Sequence, residues 1–579
     1  MRGYVTTLIM LLAIALGGCR GGPGSGRQAT PSKSTAAGAS GDTADEAATV
    51  AKILDSSRHP WLTGGDIRDQ VPLLRSLYVG EAEPLVWFAA GKPRPALQGA
   101  VEALQRAGDR GLAPTDFDAE RIGALWKDLQ AGKGVRGPER ALFDLAVSVG
   151  LLRELAAVER GRVDPRTISF DYNLEPRPLD PAQVLRKARD ENGVAKALDA
   201  GEPPFAHYAR SKAALARYKA LAAAGEPEPL PGFPARVRKI APGQPWEGVP
   251  QLVARLRRIG DLTGEVPPQE TAAAGMPLYT QPIAEAVKRF QTRHVMEPDG
   301  VIGADTREAL NVPLSWRVRQ LELSMERMRW LPDMSARPLV FVNLAIFRLW
   351  ASDPVKKAEP VRMKVVVGQA VDHRTPIFLG RMQAVTFRPY WSPPYGITVK
   401  EIVPRLRRDP SYLDAGDFEI VARGDAAAPA VPLTPESLAQ VVAGRLFIRQ
   451  RPGPKNSLGP VVFSFPNSED IYMHGTPAPQ LFSLARRDFS HGCIRLENPA
   501  RLAEWVLRDE PAWTADKIAA AMQGSRPLRV ALKVPVDVVL FYSTVHVNSE
   551  DVVFFANDIY GHDRTLDEAL RRGYPYPVK

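Results

Sequence analysis

The stretch YMHGTPAPQLFSLARRDFSHGCIR, residues 472–495, decides how the rest of the chain is read. Cys493 is one of only two cysteines, and His474 lies nineteen positions before it. A thiol acts as a nucleophile through its thiolate, so it needs a base or cationic partner within hydrogen-bond reach. Histidine suits that role because it titrates near neutrality. The residues ahead of His474, Val461 to Phe465 and Ile471 to Met473, are β-branched and aromatic, which predicts strands. His474 is therefore expected at a strand end, with Cys493 just after a loop that returns beside it. Gly492 would let backbone N–H groups near Cys493, those of His491, Gly492 and Cys493 itself, approach a substrate oxygen as an oxyanion hole. The bland alternative is a buried structural cysteine flanked by satisfied histidines.

HGT followed, after a loop, by SHGCIRL resembles the signature of the L,D-transpeptidases, cysteine enzymes that crosslink peptidoglycan. The resemblance implies that Cys493 attacks the carbonyl of the third residue of a stem tetrapeptide. D-alanine leaves and a thioester forms; the amine of a neighbouring stem then gives a 3→3 crosslink, or water gives trimming. It implies His474 as the base, with the carbonyl of Gly475 orienting its ring. Tyr472 is a possible hydroxyl donor to the oxyanion, and Ser490, His491 and Arg495 are the remaining site candidates. Arg495 could grip a carboxylate in a fork or brace the loop. His491 ranks behind His474 as a base. No metal or organic cofactor is required, and carbapenems are expected to acylate Cys493. Rival readings are a zinc hydrolase using His474, His491 and a carboxylate such as Asp488, and a non-catalytic wall-binding protein. Hydrolysis of crosslinks by the same cysteine is a further alternative.

At 579 residues the chain is too long for one core. Hydrophobic content of 45% and charged content of 24% are ordinary for a globular protein. A net charge of +10 favours anionic surroundings. Nucleic acid would be the usual guess, but the N-terminus argues against it. An apolar run from Tyr4 to Leu16, too short to span a bilayer, leads to Leu16-Gly17-Gly18-Cys19. This resembles a bacterial lipoprotein processing box, so residues 1–18 are expected to be a signal peptide and Cys19 a lipidated membrane tether. Arg20 after the cysteine points to the outer membrane, facing the periplasm. Cys493 would then be a sole free thiol in an oxidising compartment, which excludes a zinc site built from several cysteines.

The expected architecture is multidomain α+β. Residues 19–48, rich in Gly, Ser, Ala and Thr, read as a flexible linker. Residues 49–240 carry helical periodicity, as at Leu97, Val101 and Leu104, and resemble the helical scaffold of larger L,D-transpeptidases. Residues 246–312 hold two apolar stripes followed by DGVIGADTREAL, similar to a three-helix peptidoglycan-binding module, with Asp305 or Thr306 as a cap for its last helix. A linking helix spans 313–337. From Leu339 the pattern turns to strands, giving a β-rich catalytic domain over 338–535. Within it, about 391–447 is expected to be a lid over the cleft, and RQRPGPKNSLGP (449–460) a turn at the cleft border. Residues 536–579 are expected to add further strands and a tail. The resemblance implies an enzyme of cell-wall organisation and cell shape.

Overall fold

The computed structural model describes residues 36–576, apart from 134–136, 173–179, 265–269, 273–274, 335, 357 and 423–427. The signal peptide and Cys19 lie outside the described residues. The shift to β-branched sequence at Leu339 opens a mixed sheet whose strands are β1 (Leu339–Asn343), β2 (Arg348–Asp353), β3 (Ala358–Gly368) and β4 (Ile377–Phe387). It continues with β5 (Val461–Ser464), β6 (Met473–His474), β7 (Asp488–Ser490), β8 (Ile494–Leu496) and β9 (Leu528–Phe541). The order is β5-β6-β8-β3-β2-β1-β9-β4, with β7 added on β3, and β4 also pairs β5. That last pairing brings the sheet back on itself, so it leaves few open backbone edges. Alternation along the strands sends Val340, Val342, Leu349, Val365, Val367, Met473 and Ile494 into one apolar core.

Strand β9 corrects the expected boundary at 535. Its residues Asp537 to Phe541 pair in parallel with Leu339 to Asn343 of β1, so the sheet needs the sequence beyond 535. The run Val538 to Phe541 is buried on both faces, which is why it lacks the alternation that marks a half-exposed strand.

The helical parts pack around this sheet. Helix α1 (Ala36–Ser56) begins inside the expected linker. The alanines of residues 36–48 favour helix, and Val50, Ile53 and Leu54 bury while Glu46 pairs with Arg140 at 2.7 Å. Helix α2 (Pro138–Arg160) is almost wholly buried at the centre of the scaffold. Helices α3 (Val249–Arg258), α4 (Gln281–Arg293) and α5 (Ala304–Asn311) form the three-helix module around Trp246, Leu252, Leu256, Val287 and Phe290. The cap expected at Asp305 or Thr306 is absent: the N-cap is Gly303, and Thr306 instead accepts from Gln291 at 3.3 Å.

Helix α6 (Leu314–Arg329) is the hub between parts. Glu326 takes the backbone N–H of Arg162 and Val163 from the scaffold and pairs with Arg329 at 3.1 Å. Arg327 pairs with Asp563 at 2.6 Å, both side chains essentially inaccessible. Removing one partner of such a pair strands the other charge in a dry interior. Arg327→Met is therefore expected to cost about 3–5 kcal/mol, read as a lower urea midpoint with an unchanged slope. The scaffold also joins the sheet directly: Phe170 and Asp171 pair with Ile377 and Phe378, and the Tyr172 hydroxyl donates to Leu540 O at 2.7 Å.

Between β4 and β5 the chain leaves the sheet and builds a separate unit. The hairpin Phe418–Ala422 with Leu446–Gln450 packs with helical turns from residues 395–415 and 435–442. Its core is its own, made of Ile402, Val403, Leu406, Phe418, Ile420, Leu438, Val441 and Ile448. The basic run Lys400 to Arg408 is helical there, and Ile402, Val403 and Leu406 explain why.

Candidate active site

Met473 and Ile494 sit opposite each other in parallel β6 and β8, both fully buried in the core. Side chains alternate across a strand, so Tyr472 and His474 share the other face with Cys493 and Arg495. His474 pairs in register with Arg495, and Ile494 N–H donates to Tyr472 O at 3.1 Å, which sets Cys493 beside Tyr472. Cys493 and His474 are then diagonal neighbours with backbones about 7–8 Å apart, a gap their side chains span. The four residues expected to act together are brought onto one patch by strand register alone.

The Cys493 sulfur is half-buried and donates weakly to Asp470 O at 3.8 Å. Burial pushes its pKa up, opposed by hydrogen bonds from the Tyr472 N–H and hydroxyl and by the Arg495 charge. No hydrogen bond joins it to the imidazole among the described residues. Burial and the Arg495 charge hold the His474 ring down to about 3, against the pull of carbonyls at Gly475 and Leu458. The resting pair is thus a neutral thiol beside a neutral imidazole, where the sequence suggested a thiol ionised by its neighbour. His474 Nδ1 is sealed from solvent and has no hydrogen-bond partner. A buried polar atom left open in this way is costly unless something arrives to use it.

The loop before Cys493 is held by its own hydroxyls. Ser490 Oγ donates to Cys493 O at 2.6 Å and accepts the Gly492 N–H at 3.2 Å. Ser490 thus braces the loop, and the Gly492 N–H, expected among the oxyanion donors, is turned inward to it. The backbone N–H groups of His491 and Cys493 carry no partner among the described residues, so they remain the donors available. Gly492 adopts φ +115°, a conformation other residues rarely reach, with Ile471 packed where a side chain would begin. Gly475 donates its N–H to Val461 O at 3.0 Å and lies against Gly459 and Pro460, which leaves no room for a side chain. Arg495 Nε is buried without a hydrogen-bond partner, and no carboxylate pairs with its guanidinium among the described residues. Asp488, the carboxylate a metal reading would use, is held by Arg486 at 2.6 and 2.8 Å.

His491 lies apart from the His474 position: it faces the inserted unit, its Nε2 2.7 Å from Glu401 Oε1 and its ring 4.6 Å from His373. The Trp391 indole, at the root of that unit, hydrogen-bonds the Tyr472 hydroxyl from the other side. Residues 391–447 therefore meet the candidate site at two points, His491 and Tyr472. Glu401→Gln removes the charge from a half-exposed contact whose worth is up to about 1 kcal/mol. The variant is expected to raise the rate at which a bulky thiol reagent modifies Cys493 by about 2–5-fold, followed by mass spectrometry.

Several residues of this site carry no signal in a single sequence. Thr375 Oγ1 donates to Gly492 O at 2.7 Å and accepts the Gly368 N–H at 2.8 Å. Tyr560, within DIYGHD (residues 558–563), donates to Gly368 O at 2.7 Å and accepts the Thr375 N–H at 3.3 Å, so the expected C-terminal tail braces the residue that holds the cysteine loop. Gln450 and Asn456 tie the RQRPGPKNSLGP turn together through backbone carbonyls of Gly416, Lys455, Pro389 and Arg451.

A thiol and an imidazole on one sheet face, with free backbone N–H groups beside the sulfur, define a site suited to acyl transfer. Residues 337–533 match the family described as "L,D-transpeptidase catalytic domain". Residues 72–215 match a scaffold domain, and residues 247–310 match the family described as "Putative peptidoglycan binding domain". Over 252 residues the chain is 27% identical to the "Putative L,D-transpeptidase" of Haemophilus influenzae, covering 43% of this chain and 49% of that protein. The chain thus spans about half the length of that relative. A crystal structure of an L,D-transpeptidase from Xylanimonas cellulosilytica aligns over 53% of this chain and 100% of its own, at 15% identity and a TM-score of 0.16.

Proposed function

We propose that this protein forms 3→3 crosslinks in peptidoglycan through a thioester on Cys493. The observation that carries the reading is the shared face of β6 and β8, where Cys493, His474, Tyr472 and Arg495 stand together within an L,D-transpeptidase domain. Cys493 Sγ attacks the carbonyl of the third stem residue as His474 Nδ1, the open buried nitrogen, takes the thiol proton. The N–H groups of Cys493 and His491 receive the oxyanion. The proton passes to the amine of D-alanine as the C–N bond breaks. An amine of a second stem then attacks the thioester, loses a proton to His474 and releases the thiolate. Arg495 is poised for the stem's carboxylate, since its charge has no internal partner.

The protein acts, in this reading, as a lipoprotein anchored through Cys19 in the outer membrane and facing the periplasm, and it takes stem peptides and no nucleic acid. Incubation with disaccharide-tetrapeptide followed by mass spectrometry tests it. A dimer lacking one D-alanine supports crosslinking, and trimmed monomer alone would replace it with carboxypeptidase action. Identical products from wild type and Cys493→Ala would remove the cysteine from the reaction.

A further inference from the structure

The face that carries Cys493 and His474 continues across the sheet. Arg495 pairs in register with Val366 of β3, Lys364 with Arg348 of β2, and Arg362 with Trp350. The intervening residues Val361, Met363, Val365 and Val367 all enter the core, so Val366, Lys364 and Arg362 lie on the catalytic side. Beyond Lys364 this face meets the turn after α4, residues 295–298 of the three-helix module, and the two enclose a cleft of about 500 Å³.

The cleft is built for an anionic, ring-bearing ligand. Trp350 is half-buried, its ring 4.8 Å from that of His546, which in turn stacks on His207 at 4.7 Å. Arg348 and Arg362 are exposed, and no carboxylate lies within 4 Å of either among the described residues. Among the cleft's lining residues the one acid is Glu297. Lys364 and Arg487, by contrast, are spent on backbone carbonyls. An aromatic face flanked by free guanidinium groups suits a sugar ring and a carboxylate together.

Spacing supplies the link to the reaction. Continuing the β8–β3 register from Arg495 and Val366 sets Cys493 level with Gly368, four residues from Lys364. At about 3.3 Å per residue that is about 13 Å along the strand. Three extended stem residues reach about 10–11 Å, and the lactyl ether that joins the stem to its sugar supplies the remaining few ångströms.

We infer that the cleft between the three-helix module and β2–β3 holds the glycan backbone of a carboxylate-bearing peptidoglycan strand, with Trp350, Arg348 and Arg362 as its contacts, so that a stem from that strand reaches Cys493. This rests on the wall-polymer reading above for the ligand's identity, and on the cleft for its place.

The test measures binding of full-length Cys493→Ala protein to soluble glycan strands carrying tetrapeptide stems, by fluorescence anisotropy. Adding Arg348→Glu with Arg362→Glu is expected to weaken binding about tenfold. Adding Arg121→Glu with Lys127→Glu, the same charge change at exposed sites on the scaffold, is expected to leave it within twofold. Hydrogen exchange in the first protein should show protection of residues 348–364 when strands are added. Equal loss in both charge variants, or no loss in the cleft variant, would overturn the inference. So would binding to phosphatidylglycerol vesicles that depends on Arg348 and Arg362 while strand binding does not. The nucleophile is absent throughout, so a wild-type protein that makes no crosslinks would defeat the proposed reaction without touching this result.

Discussion

Cys493→Ala is expected to abolish turnover of disaccharide-tetrapeptide, by about 10⁴-fold or more, while the fold survives. The size follows from the chemistry: without sulfur there is no thioester to carry the acyl group. The fold should tolerate the change because the sulfur is half-buried, donates only weakly to Asp470 O and otherwise meets Tyr472 alone as a hydrogen-bond partner among the described residues. The loop around it is held by Ser490, Thr375 and the conformation of Gly492, none of which uses the thiol. A carbapenem should add its mass to the wild-type peptide containing Cys493 and to no peptide of the variant. An adduct on the variant would place the nucleophile elsewhere.

His474→Ala is expected to lower turnover by about 10²–10⁴-fold, the usual range for a lost general base. The pH behaviour separates this role from a merely structural one. His474 titrates at about 3, so its basic form persists from neutrality down to that value. Cys493 is pushed above the ordinary thiol range. Wild-type alkylation by iodoacetamide should therefore climb on the alkaline side of neutrality. A preformed thiolate–imidazolium pair would instead give a plateau through pH 5–8, and that plateau would sink the neutral-pair description. The same depressed pKa links to stability. Below about 6.5 the unfolded chain binds a proton at His474 that the folded one refuses, so stability is lost as pH falls from there toward 3. His59 and His207, at about 4, and His546, at about 3, act in the same direction.

Much of this site was legible in the sequence because the chemistry is local there. HGT and SHGCIR carry the candidate cysteine and histidine and the glycine whose backbone shape the loop needs, and the strand pattern around them predicts the placement of His474 that the sheet shows. What was not legible depends on distant pairing. Thr375 reaches the loop from 118 positions before Cys493, Tyr560 reaches Thr375 from 67 positions after Cys493, and nothing in their neighbouring residues names either partner. Ser490 and Gly492 stand out in the sequence, but the directions of the Ser490 hydroxyl and the Gly492 N–H are fixed only by the folded loop. The start of α1 was hidden by composition, since a Gly, Ser and Ala run resembles a tether until its last residues find a core.

The entry of β9 into the middle of the sheet has a consequence for anyone shortening this protein. The matched catalytic domain ends at residue 533, just before the residues that zip onto β1. A polypeptide stopped there would leave β1 and the outer half of β4 with naked amides facing solvent. Such a rim invites pairing with other molecules, and the molecule would gel or clump before any chemistry could be assayed. Losing Tyr560 in the same cut would also let the peptide bonds behind the sulfur go slack.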